Sequence, residues 1–501
     1  MRDQGIGSWT TRRARMSPDQ VAVVGEGREW TYRQLHERAT RFAHALAGLG
    51  VGAGDRVAYL GPNHVAFLET LFGTAKLGAI FVPLNTRLTP NELAYMLADS
   101  GAAVLVHAPS HAEHADALRG MVRIPHVVDL DEHARLVAQA PVEPLDEPVG
   151  QDEVAMIMYT SGTTGHPKGA ALTHGNIQWN SVNLLIDVDL AGDEVTLVNA
   201  PMFHVAALNQ TVLPTMLKGG TVVLMPAFDP EGTLELIERH RVTYLFGVPA
   251  IFAAVAASRR WAEADLSSVR TLICGGAPVP HQVITTYQER GLVFLQGYGL
   301  TESSPSASFL RTRESREKAG SAGTPCFFTD MRVVGPDGEQ VPPGTPGEVV
   351  LHGPNVMRGY WGKPAETAAV LSADGWLRTG DVAVSDEDGY LYVRDRIKDV
   401  IISGGENVYP AEVEDALHKH PAVADCAVIG VADERWGEVG RAVVVLREGA
   451  GARPEELLEF LDGRIARYKI PKSVTFAGAL PRTASGKLLK SQLRTTYGGQ
   501  R

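Results

Sequence analysis

Tyr159-Thr160-Ser161-Gly162-Thr163-Thr164-Gly165-His166-Pro167-Lys168-Gly169 is the stretch on which the reading of this chain turns. Three glycines, four aliphatic hydroxyls and one lysine fall within eleven residues. The apolar run before it, residues 154–159, has the length and composition of a buried strand. Glycine lets backbone N–H groups converge on an oxyanion, the hydroxyls add donors, and the lysine adds a compact positive charge. The combination suits the holding of phosphate. It is not the nucleotide loop that sets Gly-Lys before Ser or Thr at the start of a helix, because Pro167 precedes the lysine and Gly169 follows it. Ala170-Ala171-Leu172 reads as a returning strand, so a phosphate-gripping hairpin is expected.

On both sides of this loop helix-like and strand-like patterns alternate. Thr31 is placed to cap a helix from Tyr32 to Gly48; residues 57–60 read as a strand, 63–77 as a helix and 79–83 as a strand. After the loop, strands are expected at 196–198, 221–224, 244–246 and 271–273. Such alternation predicts an α/β fold with parallel sheet covered by helices. From about residue 322 to 394 short strands and Pro/Gly turns such as Gly335-Pro336-Asp337-Gly338 predict a small β-rich subdomain. The charged run Arg394-Asp395-Arg396-Ile397-Lys398-Asp399 then divides the chain. The expectation is an N-terminal domain over 1–394, a hinge at 395–398 and a mobile α+β domain over 399–501.

Bulk properties exclude several classes. A chain of 501 residues should form two to four folding units. A net charge of −11 argues against nucleic acid as a partner. Three scattered cysteines, Cys274, Cys326 and Cys426, fit a reducing compartment and show no metal-ligand spacing. The polar N-terminus, with Arg12, Arg13 and Arg15, lacks a signal-peptide core, and no apolar run reaches the ~18 residues of a spanning helix. A cytoplasmic protein, at most peripheral to membrane, is expected.

The eleven-residue loop resembles the signature loop of the adenylate-forming superfamily, which includes acyl- and aryl-CoA synthetases, luciferases and peptide-synthetase adenylation domains. The resemblance runs over essentially the whole chain. Pro201-Met202-Phe203-His204-Val205-Ala206-Ala207-Leu208 and residues 401–412 are most similar to bacterial fatty-acyl-CoA synthetases. It implies ATP, Mg²⁺ and coenzyme A as reactants and cofactor, with a carboxylic acid joined first to AMP and then to the CoA thiol.

Residue chemistry and resemblance together nominate the site. Thr160, Ser161, Gly162, Thr163, Thr164, Gly165 and Lys168 are the phosphate-holding group. Gly276, Ala277 and Pro278 follow a strand end, where small residues let a flat ring approach the backbone. Gln296-Gly297-Tyr298-Gly299-Leu300-Thr301-Glu302 offers an aromatic, hydroxyl and backbone donors, and a carboxylate. The resemblance implies that Tyr298 flanks adenine, Thr301 contacts the α-phosphate, and Glu302 with Thr160 coordinates Mg²⁺, an ion that needs only one or two protein carboxylates. Asp381, taken to end a β segment, has two acceptor oxygens suited to the ribose hydroxyls, with Arg396 reaching the same sugar or its phosphate.

Alone, Lys487 would read as a solvated charge; the resemblance implies that it bridges the acid carboxylate and the α-phosphate, offsetting the repulsion of two anions. Lys398 matches the pivot, and Ser403, Gly404 and Gly405 the loop that lines the thiol path after the C-terminal domain rotates. His204 is assigned to the wall beside the acyl carboxylate rather than to base catalysis, because the acid is already ionised at pH 7. The acyl pocket is expected from His204, Val205, Ala207, Leu208, Val248, Pro249 and Phe252. Those residues include no arginine or lysine, which favours an apolar chain over a dicarboxylate. Leu208 stands where some fatty-acid relatives carry a tryptophan gate. The expected activity is therefore an acyl-CoA synthetase acting on fatty acids. An aryl-CoA ligase shares every motif, an adenylating enzyme with another acceptor shares most, and a non-catalytic binding module is the remote alternative.

Overall fold

The computed structural model describes residues 3–145, 147–160, 166–277, 279–404, 406–483 and 488–499. Two large sheets organise the first four hundred residues. In the seven-stranded sheet the spatial order is Gly359–Tyr360, Lys168–Thr173, Val154–Thr160, Ile80–Pro83, Arg56–Leu60, Val104–His107 and His126–Asp129. The five strands from Val154–Thr160 onward are parallel, and the first two are antiparallel additions. The expected hairpin is present as an antiparallel pair whose register sets Thr160 opposite Lys168.

The nine-stranded sheet runs Thr324–Pro325, Ser306–Phe309, Phe294–Gly299, Thr271–Gly275, Tyr244–Gly247, Val195–Val198, Thr221–Leu224, Val21–Gly25 and Arg28–Thr31. Its six strands from Phe294–Gly299 to Val21–Gly25 are parallel. Helices begin where the sequence supplies caps. Thr31 accepts from Gln34 N at the head of Tyr32–Gly48, and Thr89 and Thr173 form the same reciprocal box with Glu92 and Asn176. Val65–Lys76 is buried along its whole length, even at Glu69, whose carboxylate takes Arg38 Nη2 at 3.1 Å. A buried carboxylate persists only when paired in this way.

The β-rich stretch forms one sheet of its own and lends strands to the two large ones. Asp330–Val334, Gly347–His352, Leu377–Ser385 and Leu391–Arg396 form an antiparallel four-stranded sheet. Thr324–Pro325, however, extends the nine-stranded sheet and Gly359–Tyr360 the seven-stranded one. Val349, Leu351 and Leu377 share one apolar core with the large sheets. A two-residue strand carries no periodicity, so the sequence could not reveal these attachments.

Beyond residue 400, Glu406–Val408, Ile401–Ser403, Gly437–Leu446 and Val423–Asp433 make a further sheet, with Ser473–Phe476 parallel to Gly437–Leu446. Its two apolar clusters draw only on residues from 401 onward. The three cysteines are free and buried. Among the described residues no helix is long and apolar enough to cross a membrane.

Candidate functional site

In both large sheets the parallel strands end toward a common cavity of about 550 Å³. Pro62, Thr86 and His111 follow three strands of the seven-stranded sheet. Asn199, Pro226, Val248, Gly276 and Leu300 follow five strands of the other. Open α/β sheets bind ligands in such a crevice at the carboxyl ends of their strands.

Glycines open the floor of this cavity. A Cβ on Gly299 would stand 1.7 Å from Pro305 O, and one on Gly275 would stand 2.7 Å from Gly297 O. No other residue fits at either place. Gly276, at φ +81°, is exposed beside Ala277. Tyr298 lines the cavity next to these backbones, and Gln296 is buried behind it.

From Tyr298 a polar chain leads into the four-stranded sheet. Its hydroxyl donates to Asp381 Oδ2 at 2.7 Å, and Asp381 Oδ1 pairs with Arg396 Nε at 2.6 Å. Burial first, then the Asp381 charge, holds the Tyr298 phenol well above its usual pKa, so it stays a donor. Asp381 does not end a segment, as the sequence suggested, but lies inside Leu377–Ser385. Gly380 at φ +70° bends the strand without stopping it, and Asp381 sits opposite Arg396 in the ladder.

A second chain joins the phosphate-loop hairpin to Glu302. Tyr360 donates its hydroxyl to Glu302 Oε1 at 2.8 Å, and Lys168 Nζ stands 5.0 Å from the centre of the Tyr360 ring. Trp361 N donates to Gly169 O at 2.8 Å, which fixes the hairpin to this segment. Sequence reading missed Tyr360; its only signal was a Gly-Tyr-Trp run too short to assign to an element. Among the described residues no group of three or more His, Cys, Asp and Glu could hold a metal. The single oriented carboxylate of Glu302 fits Mg²⁺ that arrives with nucleotide phosphates, not a cation held by the protein alone.

Four of the seven residues expected to form the acyl pocket reach the cavity. His204, Val205, Ala207 and Val248 line the cavity. Leu208, Pro249 and Phe252 do not. Leu208 is fully buried in the main core, and Phe252 packs edge-on against Tyr287 at 5.2 Å and Phe294 at 5.0 Å. The cause is helical: Ala206–Val212 is a π-helix, so Ala206, Ala207 and Gln210 face the cavity while Leu208 and Val212 face the core. The cavity also has basic residues outside the expected pocket strings. Arg87 lies on the wall at an exposed position, and His111 is nearby, its pKa lowered mainly by burial.

Ser161, Gly162, Thr163, Thr164, Gly165, Pro278, Gly405 and Lys487 lie outside the described residues. Ser403 and Gly404 are not on the cavity wall; Gly404 N donates to Trp436 O at 2.8 Å in the C-terminal sheet region. Lys398 lies in the 3₁₀ turn Ile397–Asp399, and burial lowers its pKa.

Two α/β sheets closing on a glycine-floored cavity, with the 160–168 hairpin and the oriented carboxylates of Glu302 and Asp381 beside it, have the make-up of an adenylate-forming enzyme. Residues 10–361 match the AMP-binding enzyme family and residues 412–487 the AMP-binding enzyme C-terminal domain, and the chain belongs to this family. It is 57% identical over 500 residues to feruloyl-CoA synthases of Amycolatopsis and Streptomyces species, covering 99% of this chain and 100% of theirs. It is 41% identical over 501 residues to a long-chain-fatty-acid–CoA ligase of Mycobacterium tuberculosis, with 99% of each chain covered. Among solved structures, the o-succinylbenzoate CoA synthetase of Bacillus subtilis with its acyl-adenylate intermediate superposes with a TM-score of 0.90 at 34% identity, covering 99% of both chains. The protein is an AMP-forming acid–thiol ligase that uses ATP and coenzyme A; the Bacillus subtilis synthetase has also been solved with ATP and magnesium ion.

Proposed function

We propose that the protein is an aryl-CoA ligase whose acid is of the feruloyl type, a phenolic ring on a short unsaturated chain. The 57% identity to feruloyl-CoA synthases over the full length carries this reading. The cavity supports it: Phe203, Phe246 and Phe309 supply flat apolar walls. Ser306, 3% exposed on the same wall, has an Oγ with no hydrogen-bond partner among the described residues. A ring oxygen would satisfy it, whereas an alkyl chain would leave it unpaired. The fatty-acid expectation is the second reading, favoured by the 41% identical relative and by Val205, Ala207 and Val248 on the wall.

In this proposal the acid carboxylate stands beside His204 and attacks the α-phosphate of ATP, forming acyl-adenylate and releasing pyrophosphate. Lys487 lies between the two anions, Tyr298 flanks adenine, Asp381 accepts from the ribose hydroxyls, and Thr301 meets the α-phosphate. Glu302 with Thr160 meets the magnesium, and the 160–168 hairpin closes on pyrophosphate. Rotation about Lys398 of a C-terminal domain spanning 399–501 then removes Lys487 and brings Ser403, Gly404 and Gly405 to the thiol path. The CoA thiolate adds to the acyl carbonyl and AMP leaves with the electron pair of the broken C–O bond. The restriction of two apolar clusters to residues beyond 400 supports treating that part as a separate body.

The test is acid-dependent ATP–pyrophosphate exchange over ferulate, other hydroxylated phenylpropenoates, benzoate, malonate and straight-chain fatty acids, repeated with CoA to detect thioester. The highest kcat/KM is expected with a phenolic phenylpropenoate. A fatty acid exceeding every aromatic acid tenfold would transfer the assignment to the second reading.

A further inference from the structure

Asn199 is the residue after the Val195–Val198 strand, 2% exposed and on the cavity wall. Both of its amide atoms are buried, and neither has a hydrogen-bond partner among the described residues. In either orientation the amide therefore offers one donor and one acceptor. Local structure does not require them. The loop is already held by Asn63, whose Nδ2 donates to Val198 O at 3.3 Å, Ala200 O at 2.9 Å and Met225 O at 3.0 Å, while its Oδ1 accepts from Met202 N at 2.8 Å. An amide buried without partners is unfavourable unless something that binds there satisfies it.

Sheet order says which reactant reaches it. Gly297–Gly299 and Val195–Val198 are separated by Thr271–Gly275 and Tyr244–Gly247, three strand spacings in all. At ~4.8 Å per spacing, Asn199 stands on the order of 14 Å across the sheet from the Tyr298 end. The nucleotide glycines and Ser306 belong to that far end; Asn199 shares the near end with Asn63, which is bonded to Val198 O and Ala200 O, and with Phe228, which follows the neighbouring strand. His204 lies on the same wall. With adenylate at the Tyr298 end, the other reactant enters from the Asn199 end. That reactant, coenzyme A, is a thin arm interrupted by two secondary amides, each presenting one N–H and one C=O.

We propose that Asn199 hydrogen-bonds an amide of the CoA pantetheine arm and thereby sets the depth at which the thiol meets the acyl carbonyl. It is a positioning residue for thioester formation and takes no part in adenylation. The inference rests on the acid–thiol ligase reading.

The experiment compares wild type with Asn199→Leu and Asn199→Ala in both half-reactions. Asn199→Leu should raise KM for CoA about tenfold, equivalent to 1.4 kcal/mol. Acid-dependent ATP–pyrophosphate exchange should stay within about twofold, which also shows that the variant is folded. With 2-mercaptoethanol, which has no amide, all three proteins should consume adenylate at equal rates. Asn199→Ala should repeat the pattern and serves alone if the leucine does not fit. An unchanged CoA KM overturns the proposal. So does an equal loss with 2-mercaptoethanol, or a shift confined to acid KM and acid preference, which would assign Asn199 to the acid pocket. Absence of thioester in the wild type with every acid would instead defeat the ligase reading on which it rests.

Discussion

Replacing Asp381 by asparagine tests the nucleotide site at its most constrained point. The side chain is 6% exposed, accepts the Tyr298 hydroxyl at 2.7 Å and pairs with Arg396 at 2.6 Å. Each carboxylate oxygen is held by one of these partners, which orients the group for the acceptor role proposed at the ribose hydroxyls. Asparagine keeps the shape, removes the charge, and replaces one acceptor oxygen by a donor. Whichever way the amide turns, one N–H faces a donor, either Tyr298, Arg396 or the ribose. Hydrogen bonds to a charged group contribute about 1.5–3 kcal/mol each, so loss of one at the sugar should raise KM for ATP about tenfold to a hundredfold. Arg396 is 41% exposed and water can solvate it, so the ion pair itself should add little. The assay is ATP–pyrophosphate exchange at saturating acid, with Tyr298→Phe as the contrast. The phenylalanine variant keeps the carboxylate and the ring and should shift KM several-fold less. A KM for ATP within twofold of wild type in Asp381→Asn would refute the ribose assignment and reduce the Asp381–Arg396 pair to a strand-pairing contact.

Other expectations follow from single groups. Lys487→Ala should abolish adenylation yet largely spare thioester formation from supplied acyl-adenylate; equal loss in both half-reactions would contradict an adenylation-specific lysine. Lys398→Pro should do the reverse, accumulating adenylate, because proline fixes φ and stiffens the pivot; normal thioester turnover would mean that the hinge lies elsewhere. His174, fully buried, accepts Ile6 N at its Nδ1 (3.1 Å), and burial lowers its pKa to about 4. The unfolded chain therefore binds the proton first, and stability should fall as pH drops from about 6.5 toward 4, by ~2 kcal/mol at pH 5 from this group alone. Urea titrations at pH 7 and pH 5 measure it, and His174→Gln should flatten the slope. Ala206→Phe, at a half-buried cavity position, should raise KM for the larger acids and leave KM for ATP unchanged, read from exchange over the acid panel.

The parts of the molecule that sequence revealed are those whose chemistry is local. Thr31 announces its helix because a cap acts within three residues, and the hairpin around residues 160–168 is legible because an apolar strand, a Gly-rich turn and a returning strand are contiguous. Tyr298, Thr301 and Glu302 could be nominated for the same reason. What sequence could not supply is which way a side chain faces where two sheets meet. Leu208 follows His204 by four residues and its N donates to His204 O at 3.2 Å, yet its side chain is fully buried in the core while His204 lines the cavity. Leu208→Trp would therefore overpack a closed interior and report on stability, whereas Ala206 and Ala207 report on the acid.

Tyr360 and Asn199 illustrate the same limit from the opposite direction. Neither belongs to a motif, and each acquires meaning from partners fixed by topology: Tyr360 from a two-residue strand that brings it to Glu302 and Lys168, Asn199 from a strand three places across the sheet from Tyr298. Among the described motif residues, Gly276, Tyr298, Gly299 and Thr301 line the cavity, at the end where the proposed nucleotide would sit. In the proposed reading, choice of acid and approach of thiol depend instead on Ser306 and Asn199, whose buried polar atoms have no hydrogen-bond partner among the described residues. In a wall otherwise built of Phe203, Phe246 and Phe309, such atoms are where a reactant's own polar groups can be told apart, since each mismatch costs about as much as a hydrogen bond is worth.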